Sequence, residues 1–202
     1  MFINHTHKFI FIHIPKNGGT SIRNSFDING YDKRVVRKPY PHDTSAEIRE
    51  YCGDEVWNTF YKFAVVRNPY DRLVSFYHFH KSKQYTEPYG KERAFKYNFK
   101  DWVMNISKQE KRTEYAVKRS GGRIVGNTQF SYISMQPNKI IRFENLQEDF
   151  NEVCNDIGIE AYQLPHYNKS EHDSFESYYD DELKEMVYGM FIVDFRRFDY
   201  AR

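Results

Sequence analysis

The chain of 202 residues has little cysteine and no long apolar run. Its two cysteines, Cys52 and Cys154, fall at helical positions among apolar neighbours, and no C-x-x-C pair occurs. A disulfide framework is therefore not expected, and we predict reduced, buried thiols in a reducing cytoplasm. The mean hydropathy is −0.82, and no run approaches the roughly 20 apolar residues of a spanning helix. We expect no secretory signal after Met1, no transmembrane segment and a cytoplasmic protein.

The sequence also lacks the common signatures of metal enzymes. It contains no H-E-x-x-H, and no strand ends in the aspartate of a Walker B segment. His78 and His80 point in opposite directions on a predicted helix, so no shared metal is expected. The net charge of +2 gives no reason to expect a nucleic-acid partner, although residues 81–123 hold twelve Lys or Arg against five Asp or Glu. That local excess predicts either an anionic ligand nearby or merely solvated helices.

What the sequence does contain is enough apolar and aromatic material for one packed core. Hydrophobic residues make up 40 % of the chain and aromatic residues 18 %, and a chain of this length buries roughly 70 % of its unfolded surface. No repeat or linker divides it, so we expect a single domain. Predicted strands (9–14, 34–36, 60–66 and 139–143) alternate with predicted helices (20–29, from 44, 68–80, 145–157 and 181–195). This alternation predicts an α/β fold with helices on both faces of a central parallel sheet.

The segment that follows the first predicted strand has the features of a phosphate cradle. It comprises Pro15, Lys16, Asn17, Gly18, Gly19, Thr20 and Ser21. The glycines let an anion approach the main chain, and the unpaired N–H groups of the helix start face the same anion. Lys16 adds a positive charge. A Walker A motif is excluded because its lysine follows the glycines, whereas Lys16 precedes them; a plain turn between strand and helix is the alternative.

A second candidate element is Arg67, at the end of a strand, with the helix that follows it. Ligands of open α/β sheets lie beyond the C-terminal ends of the strands, so Arg67 and Lys16 should share one crevice. A guanidinium suits a phosphate dianion, and Ser75 lies two turns into the helix. The alternative for Arg67 is a salt bridge to a buried acid such as Asp194. We interpret Arg72 as binding an acid rather than the phosphate.

Seven segments in order resemble the carbohydrate-type branch of the sulfotransferase family, which includes heparan sulfate 2-O-sulfotransferase and many small bacterial proteins. They are FIHIPKNGGTS, PHDTSAEIRE, FAVVRNPYDRLVSFY, IIRFENLQEDF, LPHYNKS, SYYDDE and VDFRRFDY, and they span nearly the whole chain. The resemblance implies a P-loop-like three-layer fold and one sulfotransferase domain over residues 1–202, with an acceptor-site insertion at about 83–129. The chain departs from the pattern at Asp199, where family members commonly have glycine, which leaves the C-terminal contact open.

The resemblance also implies a donor and roles for the candidate residues. The donor is 3′-phosphoadenosine 5′-phosphosulfate (PAPS), and no metal is implied. Residues 15–21 hold its 5′-phosphosulfate, with Lys16 on the bridging oxygen of the leaving group. Arg67 and Ser75 bind its 3′-phosphate. A histidine after the second strand is the base in related glycan sulfotransferases, and in this sequence it is His42.

The position of His42 favours the same role. It stands two residues before Thr44, which with Glu47 forms a capping box at the start of a helix. The positive end of a helix disfavours imidazolium, and a general base must be neutral. A solvated loop histidine is the alternative, and Asp43 or His172 is the next candidate base.

We therefore expect an enzyme that transfers a sulfuryl group from PAPS to a hydroxyl, or an amine, of a glycan or glycan-like acceptor by in-line displacement. Such transfer depends on positioning and charge neutralisation. A small P-loop nucleotide kinase, or a non-catalytic module that binds the nucleotide or a polyanion, is the alternative. Residues 83–129 carry no recognised motif, so the acceptor, the role of the basic segment and the oligomeric state stay open.

Overall fold

The computed structural model describes residues 2–29, 35–36, 42–81, 97–109, 127–165 and 173–202. Predictions for the helix stop at Gly30, for His172 and for most of the insertion lie outside these ranges. The strands are β1 (Phe2–Asn4), β2 (Phe9–Ile12), β3 (Val35–Val36), β4 (Tyr61–Val66) and β5 (Lys139–Arg142). The helices are α1 (Gly19–Ile28), α2 (Ser45–Thr59), α3 (Pro69–Lys81), α4 (Phe99–Gln109), α5 (Gln129–Tyr132), α6 (Leu146–Asp156), α7 (Asp181–Met190) and α8 (Ile192–Arg197).

The five strands form one sheet in the order β3-β1-β2-β4-β5. Strands β2, β4 and β5 are parallel, with Phe11 opposite Phe63 and Phe63 opposite Lys139. Their C-terminal ends therefore meet at one edge, and the predicted α/β fold with parallel strands at its centre is confirmed. The three residues of β1 were not predicted as a strand. Because β1 pairs antiparallel with both β2 and β3, the sheet as a whole is mixed.

Helices cover both faces of the sheet, which gives the three predicted layers. On one face, Phe9, Phe11 and Phe63 pack with α1 and α6. On the other face, Ile10 and Ala64 pack with α2 and α5. Alternate strand residues thus point to opposite faces, and both faces are apolar because both are buried.

A third apolar cluster lies among α3, α4, α7 and α8. Helix α4 belongs to the predicted insertion, yet its Phe99, Trp102 and Val103 are buried in this cluster. This part of the predicted insertion therefore belongs to the core. The single helix predicted for residues 181–195 is two helices, because the chain leaves helical geometry at Phe191 between α7 and α8.

Two helices end in the same way, at a residue with positive φ. After α6, Gly158 has a φ of +70°, and the next N–H group, that of Ile159, donates to the Cys154 carbonyl. After α8, Asp199 has a φ of +52°, and the Tyr200 N–H donates to the Phe195 carbonyl. Both bonds are those of a Schellman motif, in which glycine is preferred at the left-handed residue. Position 199, where the family resemblance implies a glycine, is therefore the left-handed residue of the motif, and Asp199 adopts that conformation here.

Two expectations drawn from the composition concern thiols and membrane spans. Both cysteines are free thiols, with Cys154 buried and Cys52 half-buried. Burial raises the pKa of Cys154 to about 11. Across the ranges that the structure describes, no helix is both long and apolar enough to cross a membrane.

Candidate active site

The loop between β2 and α1 presents main-chain N–H groups at the C-terminal edge of the parallel strands. The Gly18 carbonyl accepts a hydrogen bond from the Ser21 N–H at 3.0 Å, which starts α1. The N–H groups of Gly19 and Thr20 donate no hydrogen bond to any described residue. The first turn of α1 therefore offers donors, and the positive end of a helix dipole, to an anion.

The two glycines of this loop are required for different reasons. Gly18 has a φ of +74°, and a Cβ there would lie 3.1 Å from side-chain carbons of Leu146 and Phe143. Gly19 has an ordinary φ, but a Cβ there would overlap the imidazole ring of His13. The loop backbone is thus packed directly against the end of β5 on one side and against a buried histidine on the other.

Arg67 reaches from the end of β4 to this loop. Its Nη1 donates to the Lys16 carbonyl at 3.0 Å, and its Nε donates to Asp71 at 2.7 Å. Its guanidinium lies 4.1 Å from the centre of the Phe143 ring. The structure thus brings the two candidate elements into direct contact. The alternative of a salt bridge to Asp194 was wrong, because the first turn of α3 places Asp71 beside the guanidinium.

The face of α3 that carries Ser75 lies against the same loop. Arg72, Ser75 and Phe79 share this face because they are three and four residues apart. The Nε of Arg72 donates to the Pro15 carbonyl at 3.2 Å, and the Lys16 ammonium lies 4.3 Å from the centre of the Phe79 ring. Ser75 is therefore flanked along the helix by two residues that contact the loop.

Among the described residues, no carboxylate forms a hydrogen bond or a salt bridge with Arg72, so that interpretation was wrong. Its side chain is 2 % exposed, and its hydrogen bonds go to the main-chain carbonyls of Pro15 and Asn127, the latter at 3.0 Å. Burial lowers the pKa of the guanidinium, while Asp194 attracts its charge. Arg72 thus joins α3 to the start of the loop through the Pro15 carbonyl.

His42 is placed beside the loop by its contact with His13. Its Nδ1 lies 3.0 Å from the His13 carbonyl, and the two ring centres are 4.4 Å apart. Because a carbonyl only accepts, Nδ1 carries the proton, and in the neutral ring Nε2 has the lone pair that a base uses. At 7 % exposed, His42 is not a solvated loop histidine. The predicted capping box of Thr44 and Glu47 is confirmed, so α2 begins at Ser45, shortly after His42.

Comparison with known proteins identifies the family of the chain. A family model described as the sulfotransferase family matches residues 1–201. The chain belongs to the sulfotransferase family. A crystal structure of a sulfotransferase from Alicyclobacillus acidocaldarius aligns with it at a TM-score of 0.47 and 13 % identity, covering 95 % of this chain and 94 % of that one. No curated protein matches the chain.

The sulfotransferase contains one buried side chain at this site that the sequence did not reveal. Gln129, at the start of α5, bonds the side chain of Asn17 in the loop and the main chain of Arg67 at the strand end. The local sequence signals only the helix start, through the cap at Thr128. Contacts between residues so far apart in the chain leave no periodicity or motif.

The histidines of α3 in the sulfotransferase have separate partners. His78 Nε2 lies 2.8 Å from the Tyr178 hydroxyl, and the His80 ring packs edge-on against Trp102. Among the described residues, no three His, Cys, Asp or Glu side chains are grouped as metal ligands are. A reaction without metal therefore stays a prediction.

Proposed function

We propose that this sulfotransferase uses PAPS as donor and transfers its sulfuryl group to a hydroxyl, or an amine, of a glycan or glycan-like acceptor by in-line displacement. The observation that supports this most is the hydrogen bond from Arg67 to the Lys16 carbonyl. It joins an anion cradle at a helix start to a guanidinium at the neighbouring strand end. A donor with separate anionic groups at its 5′ and 3′ positions needs two such elements side by side.

At the 5′ end, the main chain and Lys16 act together. The N–H groups of Gly19 and Thr20 hold the phosphosulfate, and the Lys16 ammonium neutralises the negative charge that grows on the leaving oxygen. PAPS, when bound, supplies an activated sulfuryl group. In this structure the ammonium makes a cation–π contact with the Phe79 ring.

At the 3′ end, Arg67 and Ser75 bind the phosphate. A guanidinium has five N–H donors, and Arg67 uses one for the Lys16 carbonyl and one for Asp71. The remaining donors suit a phosphate dianion. The Phe143 ring, whose centre lies 4.1 Å from the guanidinium, helps to hold it at the strand end.

His42 is the base that removes the proton of the acceptor hydroxyl. The His13 carbonyl holds the proton of Nδ1, so the Nε2 lone pair takes the proton of the acceptor. Burial beside the loop keeps the imidazole close to the residues that hold the donor. A glycan acceptor, a reaction without metal and a cytoplasmic location are proposed from the sequence resemblance and composition.

Nucleotide binding tests the donor assignment. The protein should bind 3′,5′-ADP more tightly than 5′-ADP by roughly ten- to a hundredfold, the worth of a charge-assisted contact. Calorimetry on both nucleotides should show that Arg67→Ala removes most of this preference. Arg49→Ala is the matched control, since Arg49 pairs with Asp54 on α2. Equal affinity of the wild type for the two nucleotides would contradict the 3′-phosphate site.

Transfer itself is tested with labelled PAPS and a panel of saccharides, lipids and small phenols. Label should move to a saccharide. ATP with nucleoside monophosphates is the control for the kinase alternative and should give no transfer. Tight binding of 3′,5′-ADP with no transfer to any acceptor would favour the non-catalytic module instead.

A further inference from the structure

The side chain of Gln129 pairs with the main chain of the residue after β4. It is fully buried. Its Oε1 accepts from the Arg67 N–H at 2.9 Å, and its Nε2 donates to the Arg67 carbonyl at 2.8 Å. The amide thus bonds both main-chain groups of Arg67, as a neighbouring strand would.

The same amide also holds the phosphate loop, and the polarity of each bond is fixed. Since Arg67 N–H can only donate, the atom that faces it must be Oε1 of Gln129. That oxygen also contacts Asn17 at 2.7 Å, so the atom of Asn17 there must be Nδ2. Nδ2 also donates to the Val65 carbonyl at 2.7 Å. Loop and strand end are therefore joined in one register, with one orientation for each amide.

Asp194 fixes Gln129 in turn. Its carboxylate accepts from the main-chain N–H of Gln129 at 2.7 Å and from that of Phe130 at 2.9 Å. Burial raises the pKa of Asp194, while the charge of Arg72 and these two hydrogen bonds favour its ionised form. These contacts therefore start from the buried carboxylate of Asp194 on α8, where solvent does not weaken its hydrogen bonds.

We propose that Gln129 is a positioning residue that fixes the spacing between the 5′ cradle and Arg67, and so sets the preference for a nucleotide with both 3′ and 5′ anionic groups. This inference rests on the proposed function. A ligand that uses the cradle alone does not depend on the spacing. A ligand that uses both elements does, because the two contacts must be made together.

The test compares Gln129→Leu and Gln129→Glu with the wild type by calorimetry on 3′,5′-ADP and 5′-ADP. The ratio of the two dissociation constants should fall about tenfold in Gln129→Leu, the effect of losing one of two simultaneous contacts. In an Arg67→Ala background, Gln129→Leu should change the ratio no further. An unchanged ratio in Gln129→Leu, or a further fall in the double variant, would overturn the proposal.

Gln129→Glu separates positioning from mere folding. An ionised carboxylate can accept from the Arg67 N–H but repels the Arg67 carbonyl, whereas a protonated one can donate to it as the amide does. Burial should raise the pKa of the introduced carboxyl. The ratio for Gln129→Glu should therefore recover towards the wild-type value as the pH is lowered from about 8 to about 6, while Gln129→Leu, compared with wild type at each pH, shows no recovery.

Two outcomes distinguish the inference from the proposed function. If the wild type binds the two nucleotides equally, the PAPS assignment itself fails. If the wild type prefers 3′,5′-ADP and a folded Gln129→Leu keeps that preference, the assignment stands and the positioning role is overturned. Should Gln129→Leu fail to fold, the isosteric Gln129→Glu carries the test alone, with thermal unfolding as the check on folding.

Discussion

The two strand ends that form the candidate donor site hold their shape by different means. After β2 the loop backbone depends on two glycines: Gly18 has a positive φ, and Gly19 leaves room for the His13 ring. The remote side chains of Arg67, Arg72 and Gln129 bond to the loop that these glycines shape. After β4 the means are remote, since Gln129 bonds the main chain of Arg67 from 62 residues away. Changes at the first end should act through backbone conformation and close packing. Changes at the second should act through hydrogen bonds that join distant segments.

The largest effect is expected at His42, which is attached to the first strand end through the His13 carbonyl. His42→Ala should lower kcat by about 10² to 10⁴, the usual range for a lost general base. Binding of 3′,5′-ADP should stay nearly intact, because the nucleotide is held by other groups. Steady-state kinetics with the identified acceptor and calorimetry measure the two effects. Wild-type kcat/KM should fall as the pH drops through the range in which imidazole titrates, near about 6.5 when unperturbed.

His5→Ala is the control for that substitution. His5 is exposed in the turn before β2, next to the Phe60 ring at the opposite edge of the sheet. Its removal should leave turnover near the wild-type value. If His42→Ala also keeps its turnover, Asp43, which is buried next to it, becomes the candidate base.

A smaller loss of turnover is expected at Lys16. Lys16→Ala should reduce kcat by about 10² to 10³, the usual effect of removing one donor to a developing negative charge, with a smaller change in PAPS affinity. Lys16 has a φ of +70°, which asparagine tolerates better than alanine does. Lys16→Asn therefore removes the charge with less backbone strain, and the two variants should lose the same turnover.

Chelation completes the test at Lys16. Wild-type turnover should survive excess EDTA, because main-chain donors and Lys16 neutralise the leaving group. Loss of activity with EDTA, or a Lys16→Ala variant altered only in KM, would contradict this account of the leaving group.

A steric effect on stability comes next, at the first strand end. Gly19→Ala should lower the free energy of unfolding by about 1–3 kcal/mol, because its Cβ meets the His13 ring. His13→Ala should remove most of this cost in the double variant while keeping the carbonyl that His42 bonds. Gly189→Ala is the control: position 189 lies in α7 with no atom near a Cβ, so alanine there should stabilise by about 0.5–1 kcal/mol. Denaturant unfolding of the wild type and these four variants measures this, and additive costs of Gly19→Ala and His13→Ala would contradict the contact.

The same contrast explains how much the sequence alone could predict. The turn at Gly18, the capping box at Thr44 and the helix after Arg67 are local, and each was predicted close to its position. The bonds of Gln129 were not predicted, because an amide that pairs with a remote main chain has no local pattern. The alternative for Arg67, a salt bridge to Asp194, was wrong for the opposite reason: it named a distant acid, whereas Asp71 lies one helical turn away.

Strand pairing and helix breaks were also beyond the local signals. Strand β1 has three residues and depends on pairing with β2 and β3 on either side. The break at Phe191 interrupts an apolar pattern that continues from Leu183 to Phe195, so periodicity alone predicts one helix. The sequence also did not show that Trp102 of the insertion is buried in the core. Its burial depends on the apolar residues of α3 and α7, which are distant in the chain.

The smallest effect is expected at the end of α8, where Asp199 takes the left-handed position of a Schellman motif with a φ of +52°. Asp199→Gly should raise the free energy of unfolding by about 1 kcal/mol, because glycine adopts this conformation without strain. Removing a negative charge from a helix C-terminus adds a few tenths of a kcal/mol, and Asp199→Asn, which keeps a tolerated left-handed residue, measures that part alone.

Gly158 is the matched position, since it has a φ of +70° and open space around a Cβ. Gly158→Asp should therefore cost about what Asp199→Gly gains, because both positions have the same left-handed backbone geometry. Denaturant unfolding of the three variants gives the comparison. A loss of stability in Asp199→Gly would mean that the aspartate makes a favourable contact of its own, and the end of α8 would then be held by its side chain rather than by its backbone.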